Sequence, residues 1–192
     1  MGTARRPALV KLFVGLLSGD ADLLRRARQK LGRRFGPVDV ESEIWPFTQT
    51  DYYDHEMGPG LLRQFIAFER LIRGDQLAEL KQFSNAIEQE IAEDCLALEI
   101  PRPVNLDPGY VELAKLVLAS TKNATHRVYL GEGIFGEVTL HFVAGRWQPW
   151  PWTYPDFRTD HYQEFFLKLR GVYQTQLAAL SGQDESAGSE IA

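Results

Sequence analysis

Along this chain, short runs that are apolar at consecutive positions alternate with longer runs that are apolar every third or fourth position. Leu9 to Leu17 is of the first kind and predicts a strand covered on both faces in the middle of a sheet. From Asp20 the period changes. Leu23, Leu24, Ala27, Leu31 and Phe35 recur at helical spacing behind a good N-cap, and Gly36-Pro37 ends the run, which predicts a helix over Ala21–Phe35. A second strand is predicted from Val38 to Phe47, then a polar, aromatic loop from Thr48 to Gly60. Leu61–Ile72 fits both periods, and a strand over Gln64–Leu71 is favoured. Asp75–Asp94 predicts a helix with Leu77, Leu80, Phe83, Ile87 and Ile91 on one stripe.

The second half reads mostly as strand. Val104–Tyr110 is a short extended segment broken by a Pro108-Gly109 turn, whereas Val111–Ser120 has Leu113, Leu116 and Val117 spaced for a helix. His126–Leu130 and Ile134–Phe142 predict two strands joined through Gly131-Glu132-Gly133. Arg146–Asp156 reads as irregular chain. Thr159–Leu180 closes the pattern as an amphipathic helix carrying Tyr162, Phe165, Phe166, Leu169, Val172, Tyr173 and Leu177. The predicted class is α+β: a mixed, mainly antiparallel sheet with about three helices on one side, opening with a strand–helix–strand unit. Residues 8–180 are expected to form one domain, between a flexible stretch 1–7 and a disordered tail 181–192.

Composition narrows the function. The 192 residues carry 26 acids against 21 Lys and Arg, a net charge of −5, which argues against nucleic acid as a partner. The single cysteine, Cys95, excludes an internal disulfide and a cysteine-rich metal site. The apolar start Ala8–Leu17 is too short for a membrane span and lacks a small-x-small cleavage site after it, so a cytoplasmic protein without membrane contact is expected.

Four polar constellations carry candidate chemistry. Alternation puts Asp39, Glu41 and Glu43 on one strand face, either a solvated face or a set of oxygen ligands. Asp51, Tyr52, Tyr53, Asp54, His55 and Glu56 crowd one loop, where carboxylates and an imidazole suit a divalent cation such as magnesium or manganese, or acid–base work. Asn105 and Asp107 precede the Pro-Gly pair, and Ser120, Thr121, Lys122, His126 and Arg127 supply hydroxyl and cationic groups suited to a phosphate or carboxylate. Trp147, Trp150, Trp152, Tyr154 and Phe157, with Arg158 and several prolines, form an aromatic segment that reads as a flap over the core. There is no Walker loop, and Gly131-Glu132-Gly133-x-x-Gly136 lies between strands and is discounted as a dinucleotide fingerprint.

The runs SEIWPFTQTDYYDHEMG (42–58), FIAFERLI (65–72), NLDPGYVELAKLVLASTKNATHRVYLGEGIFGEVTL (105–140) and PWTYPDFR (151–158) resemble a bacterial family known as domain of unknown function 4416. The resemblance extends over roughly residues 8–178. It implies a free-standing, single-domain bacterial protein and no particular activity. The family's pattern spans Asp51, Tyr52, Tyr53, Glu56, Glu69, Asp107, Lys122, His126, Arg127, Glu137 and Asp156, with Asn123-Ala124 as a departure.

Two functions compete. In the first, a metal-assisted enzyme or binder of a phosphorylated or nucleotide ligand, Asp51, Glu56 and Asp107 hold the cation and Lys122 and Arg127 neutralise phosphate. His126, Glu56 and Asp107 are then the catalytic candidates, with Tyr52, Tyr53, Trp152 and Arg158 as further ligand contacts. In the second, a non-catalytic module recognises a ligand or protein through the aromatic segment.

Overall fold

A computed structural model describes residues 2–50, 53–96 and 99–189. The strands are β1 (Val10–Ser18), β2 (Val38–Glu41), β3 (Trp45–Pro46), β4 (Leu62–Ile72), β5 (Asn105–Val111), β6 (Lys115–Ser120), β7 (Val128–Gly131), β8 (Ile134–Val143) and β9 (Arg146–Pro149). The helices are α1 (Ala21–Phe35), the single turn α2 (Asp54–Met57), α3 (Leu77–Asp94) and α4 (Asp160–Ser189). The strand order is β2-β4-β1-β5-β6-β8-β7, with β3 on β4 and β9 on β8, and every pairing among the described strands is antiparallel. No helix among the described residues is long and apolar enough to cross a membrane.

The opening unit forms as its pattern dictates. Asp20 caps α1 by accepting from the Asp22 N–H, and β1 is buried at every position. Leu12, Leu16 and Val14 face α1 and α3 on one side, whereas Phe13 faces α4 on the other. Helices therefore cover both faces, a correction to the one-sided assembly expected. The cause is α4, whose aromatic stripe of Tyr162, Phe165, Phe166 and Tyr173 closes around Phe13 and Phe65.

Several boundaries also differ. The second predicted strand splits into β2 and β3, and α3 starts after a 3₁₀ turn at Gly74–Gln76. Val111–Ser120 is not a helix: Glu112 and Lys115 close a turn between β5 and β6. Leu116–Ala119 is buried on both faces of the sheet, where apolar spacing cannot separate the two periods. Pro108-Gly109 makes no turn either. Arg146–Pro149 pairs with β8 rather than running irregularly, and α4 continues past Leu180.

The acidic face of β2 behaves as a solvated edge with basic partners. Asp39 lies 2.5 Å from Lys11 Nζ and Glu41 Oε2 lies 3.0 Å from Arg28.

Candidate functional site

β-register places three rows of residues on the α4 side of the sheet. Ala67, Phe13, Gly109, Leu118 and Glu137 form one; Phe65, Gly15 and Asp107 the next; Arg63, Leu17 and Asn105 the third. Ala67 and Phe13 of the first row pack with the aromatic residues of α4, whereas Leu118 and Glu137 of that row, with Phe65, Asp107, Arg63 and Asn105 of the others, line a cavity of about 440 Å³. Pro155–Phe157, from the segment leading into α4, forms part of its wall.

A break in the sheet supplies the charges. β5 pairs with β6 only from Gly109 onward, so the backbone of Leu106 faces an open edge. Two α3 side chains satisfy it: Glu88 accepts from the Leu106 N–H at 2.7 Å, and Lys81 Nζ donates to the Leu106 carbonyl at 2.6 Å. Pro108 has the same parity as Leu106, and its missing N–H therefore falls on that edge, where β5 tolerates it. Lys81 also reaches within 3.5 Å of Asp107 Oδ1. Arg102 completes the cluster by bonding Glu88 at 2.8 Å and the Asn105 side chain, whose amide donates to Asp107 at 2.7 Å.

Arg63 sits at the centre and is only 4% exposed. Its Nη1 is 3.6 Å from Asp107 and its Nη2 3.8 Å from Asp156, both beyond hydrogen-bond length, and its Nε has no partner. The guanidinium lies 5.1 Å from the Phe47 ring centroid. Gly15 makes room for it, because a Cβ there would stand 3.1 Å from Nη1 and 3.0 Å from the Phe65 ring. The two flanking carboxyls differ. Burial opposes ionisation of Asp107, but Lys81, Arg63 and Arg102 together hold it below the usual carboxylate range. Asp156 lacks that surplus of cations, and burial pushes it up. Tyr53 is pushed up to about 12 by burial and by Asp107.

A second cluster surrounds Glu137, which is 2% exposed. It accepts from Arg127 Nε at 2.8 Å and faces His126 Nε2 at 3.1 Å. Arg127 spends its other donors on Ser120 Oγ, the Lys122 carbonyl and the Tyr154 hydroxyl. It thereby fixes the β6–β7 loop that brings Ser120, Thr121 and Lys122 to the cavity.

Of the residues singled out in the sequence, Tyr53, Asp107, Lys122 and Arg127 line this cavity together with Glu137 and Asp156. Glu56 does not: it lies outside, 4.0 Å from Arg102 Nη1, with Arg102 and Asn105 linked between it and Asp107. Asp51 and Tyr52 fall outside the described residues. Among the described residues no group of three or more His, Cys, Asp and Glu is placed to hold a metal ion. His126 is not part of the lining and stacks on Trp152 at 5.2 Å. Arg158 fastens the wall by donating to the carbonyls of Trp150, Pro151 and Thr153.

The aromatic segment divides in two. Trp147 and Phe157 are core, whereas Trp150 and Trp152 continue a stack running from His141 to His126. Trp152 Nε1 donates to the Val138 carbonyl and Thr153 Oγ1 to that of Thr139, which closes the β8 edge between β7 and β9. Trp152 is 38% exposed, so Trp152→Ala is expected to cost about 1–2 kcal/mol, from one stacking contact and one hydrogen bond, rather than the loss of a core ring. Denaturant unfolding measures this, and a loss of 4 kcal/mol or more (roughly the core-ring range) would contradict it.

Sequence reasoning did not single out Arg63, Lys81, Arg102 or Gly15. The signals were slight: a basic residue on the inward parity of β4, a lysine beside the apolar stripe of α3, and a glycine inside a central strand, which marks close approach.

A family sequence model described as Domain of unknown function (DUF4416) matches residues 8–173. No curated protein and no solved structure matches the chain.

Proposed function

The chain belongs to the DUF4416 family over nearly its whole length, and we propose that it binds a small phosphorylated ligand, a phosphomonoester or a nucleotide, in the cavity around Arg63. The observation that carries this reading is Arg63 itself. It is a buried guanidinium with an unpartnered Nε and two ion pairs too long to be hydrogen bonds. A planar fork with carboxylates only at ion-pair distance, in a desolvated site, suits an oxyanion. The charge balance agrees. Among the described lining residues Arg63, Lys81, Arg102, Lys122 and Arg127 stand against Asp107, Glu137 and Asp156. Phe47, Phe65, Leu118 and Phe157 offer apolar surface for the carbon part of the ligand.

In this arrangement Arg63 receives the phosphate, Lys122 approaches it from the exposed loop, and Tyr53 and Tyr154 border the opening. Lys81 and Arg102 help hold Asp107 ionised, Asn105 donates to it, and Glu88 anchors both cations. The reading rests on side-chain binding and does not use the cation site expected of Asp51, Glu56 and Asp107.

A thermal-shift series with inorganic phosphate, phosphomonoesters and nucleotides, with and without magnesium, tests it. A ligand present at 100 times its Kd stabilises by about 2.7 kcal/mol, or several degrees for a chain of this size. Lys122→Ala is expected to reduce that shift while leaving the ligand-free melting temperature within about a degree, since the residue is exposed. The alternative module built on the aromatic segment draws on the exposure of Trp152. It requires Trp152→Ala, and not Lys122→Ala, to lose the binding.

A further inference from the structure

Resting on that reading, we propose that Asp156 makes the anion subsite selective for an oxyanion that carries a proton. The ligand class is then a terminal phosphate monoester, and fully ionised sulfate esters and phosphodiesters are rejected.

The argument starts from what surrounds the guanidinium. Asp156 stands on the 3₁₀ turn Pro155–Arg158, is 5% exposed and lines the same cavity as Arg63. The charged and titratable groups facing it are Arg63 from β4, Asp107 from β5 and Tyr162 from α4, whereas Arg158 on its own turn is occupied by backbone carbonyls. Asp107 is already engaged by Asn105 and Lys81. Asp156, held by the backbone N–H groups of its own residue and Phe157, is the carboxyl that no cation hydrogen-bonds.

An oxyanion that meets the Arg63 guanidinium is therefore brought beside Asp156, whose carboxyl lies 3.8 Å from Nη2. Two ionised oxygens in contact away from water repel each other. One proton between them replaces that repulsion with a short O–H···O⁻ hydrogen bond. A phosphomonoester has its second ionisation at about pH 6, so near neutrality it takes this proton from solvent on binding at a cost of only about tenfold in affinity. A sulfate monoester has no such proton, so it binds only when Asp156 has taken one from solvent. Burial, which disfavours the ionised carboxyl of Asp156, makes that uptake easier and so narrows the difference without removing the need for the proton.

The test compares phenyl phosphate with phenyl sulfate, which have the same shape and, with the phosphate singly protonated, the same charge. By calorimetric titration at neutral pH, the unmodified protein is expected to bind phenyl sulfate about 10-fold more weakly than phenyl phosphate, as expected where a buried polar group is left facing an unmatched partner. Asp156→Asn, whose amide donates without needing a proton, is expected to bring the two within a few-fold by gaining phenyl sulfate. A measurement on the unmodified protein alone adds a check that needs no variant: below about pH 6, where phenyl phosphate is already singly protonated, its affinity levels off while phenyl sulfate affinity goes on rising. Equal binding of both compounds, or discrimination that survives in Asp156→Asn, overturns the proposal and leaves the pocket reading standing. Failure of the unmodified protein to bind either compound overturns both.

Discussion

Arg63→Met is expected to abolish phosphate-dependent stabilisation and to lower the stability of the ligand-free protein by about 3–5 kcal/mol at neutral pH, the range for removing one partner of a buried ion pair. Methionine fills much of the same volume, so the loss is one of charge rather than of packing. Asp107 keeps Lys81 and Arg102, but Asp156 loses the cation that faces it at 3.8 Å. The sign of the pH dependence follows. In the folded variant the carboxyl of Asp156 is held above its ordinary value of 3.8, so the folded state binds more protons than the unfolded one. The penalty is complete above the folded-state value and fades as pH falls through it towards 3.8. Denaturant unfolding across a pH series is the measurement. A deficit that is the same at every pH would mean the guanidinium contributes only packing.

Gly109→Ala is expected to destabilise by about 3 kcal/mol or more, the upper range for overpacking. A Cβ at this position would lie 2.5 Å from the Val117 carbonyl oxygen, 2.6 Å from the Phe13 ring and 2.9 Å from Leu118. The first of these is backbone in the adjacent strand, and the second is fully buried beneath Phe166, so neither yields by a rotamer change. A melting temperature within a degree or two of the unmodified protein would show that β5 and β6 are less tightly apposed than described.

That glycine also shows how far the sequence could be read. Pro108-Gly109 is a turn signal by composition, yet β5 runs straight through it. Proline falls on the open edge beside Leu106, and glycine falls where Phe13 crosses. Both reasons are tertiary. The opening β1–α1 unit, by contrast, was legible from the Asp20 cap and an uninterrupted helical stripe, because those signals are local. The same division holds in the site. Tyr53, Asp107, Lys122 and Arg127 stood out as polar residues on loops or beside turn signals, and they do meet in one cavity. Arg63 and Lys81 lie within a strand and a helix, where a single charge reads as a solvated position until the facing elements are known. Glu56 stood beside the right residues in sequence and lies on the far side of Arg102 in space.

The central claim is that the guanidinium of Arg63, with carboxylates only at ion-pair distance, is where a phosphate binds. Its most direct test is to follow arginine Nε–H resonances by ¹⁵N-correlated NMR while phenyl phosphate is added, with the Arg63 signal assigned by its disappearance in Arg63→Lys. A saturable downfield shift of that one resonance is the result this account predicts. An Arg63 signal that stays in place while the protein binds phenyl phosphate elsewhere, or does not bind it at all, would contradict it.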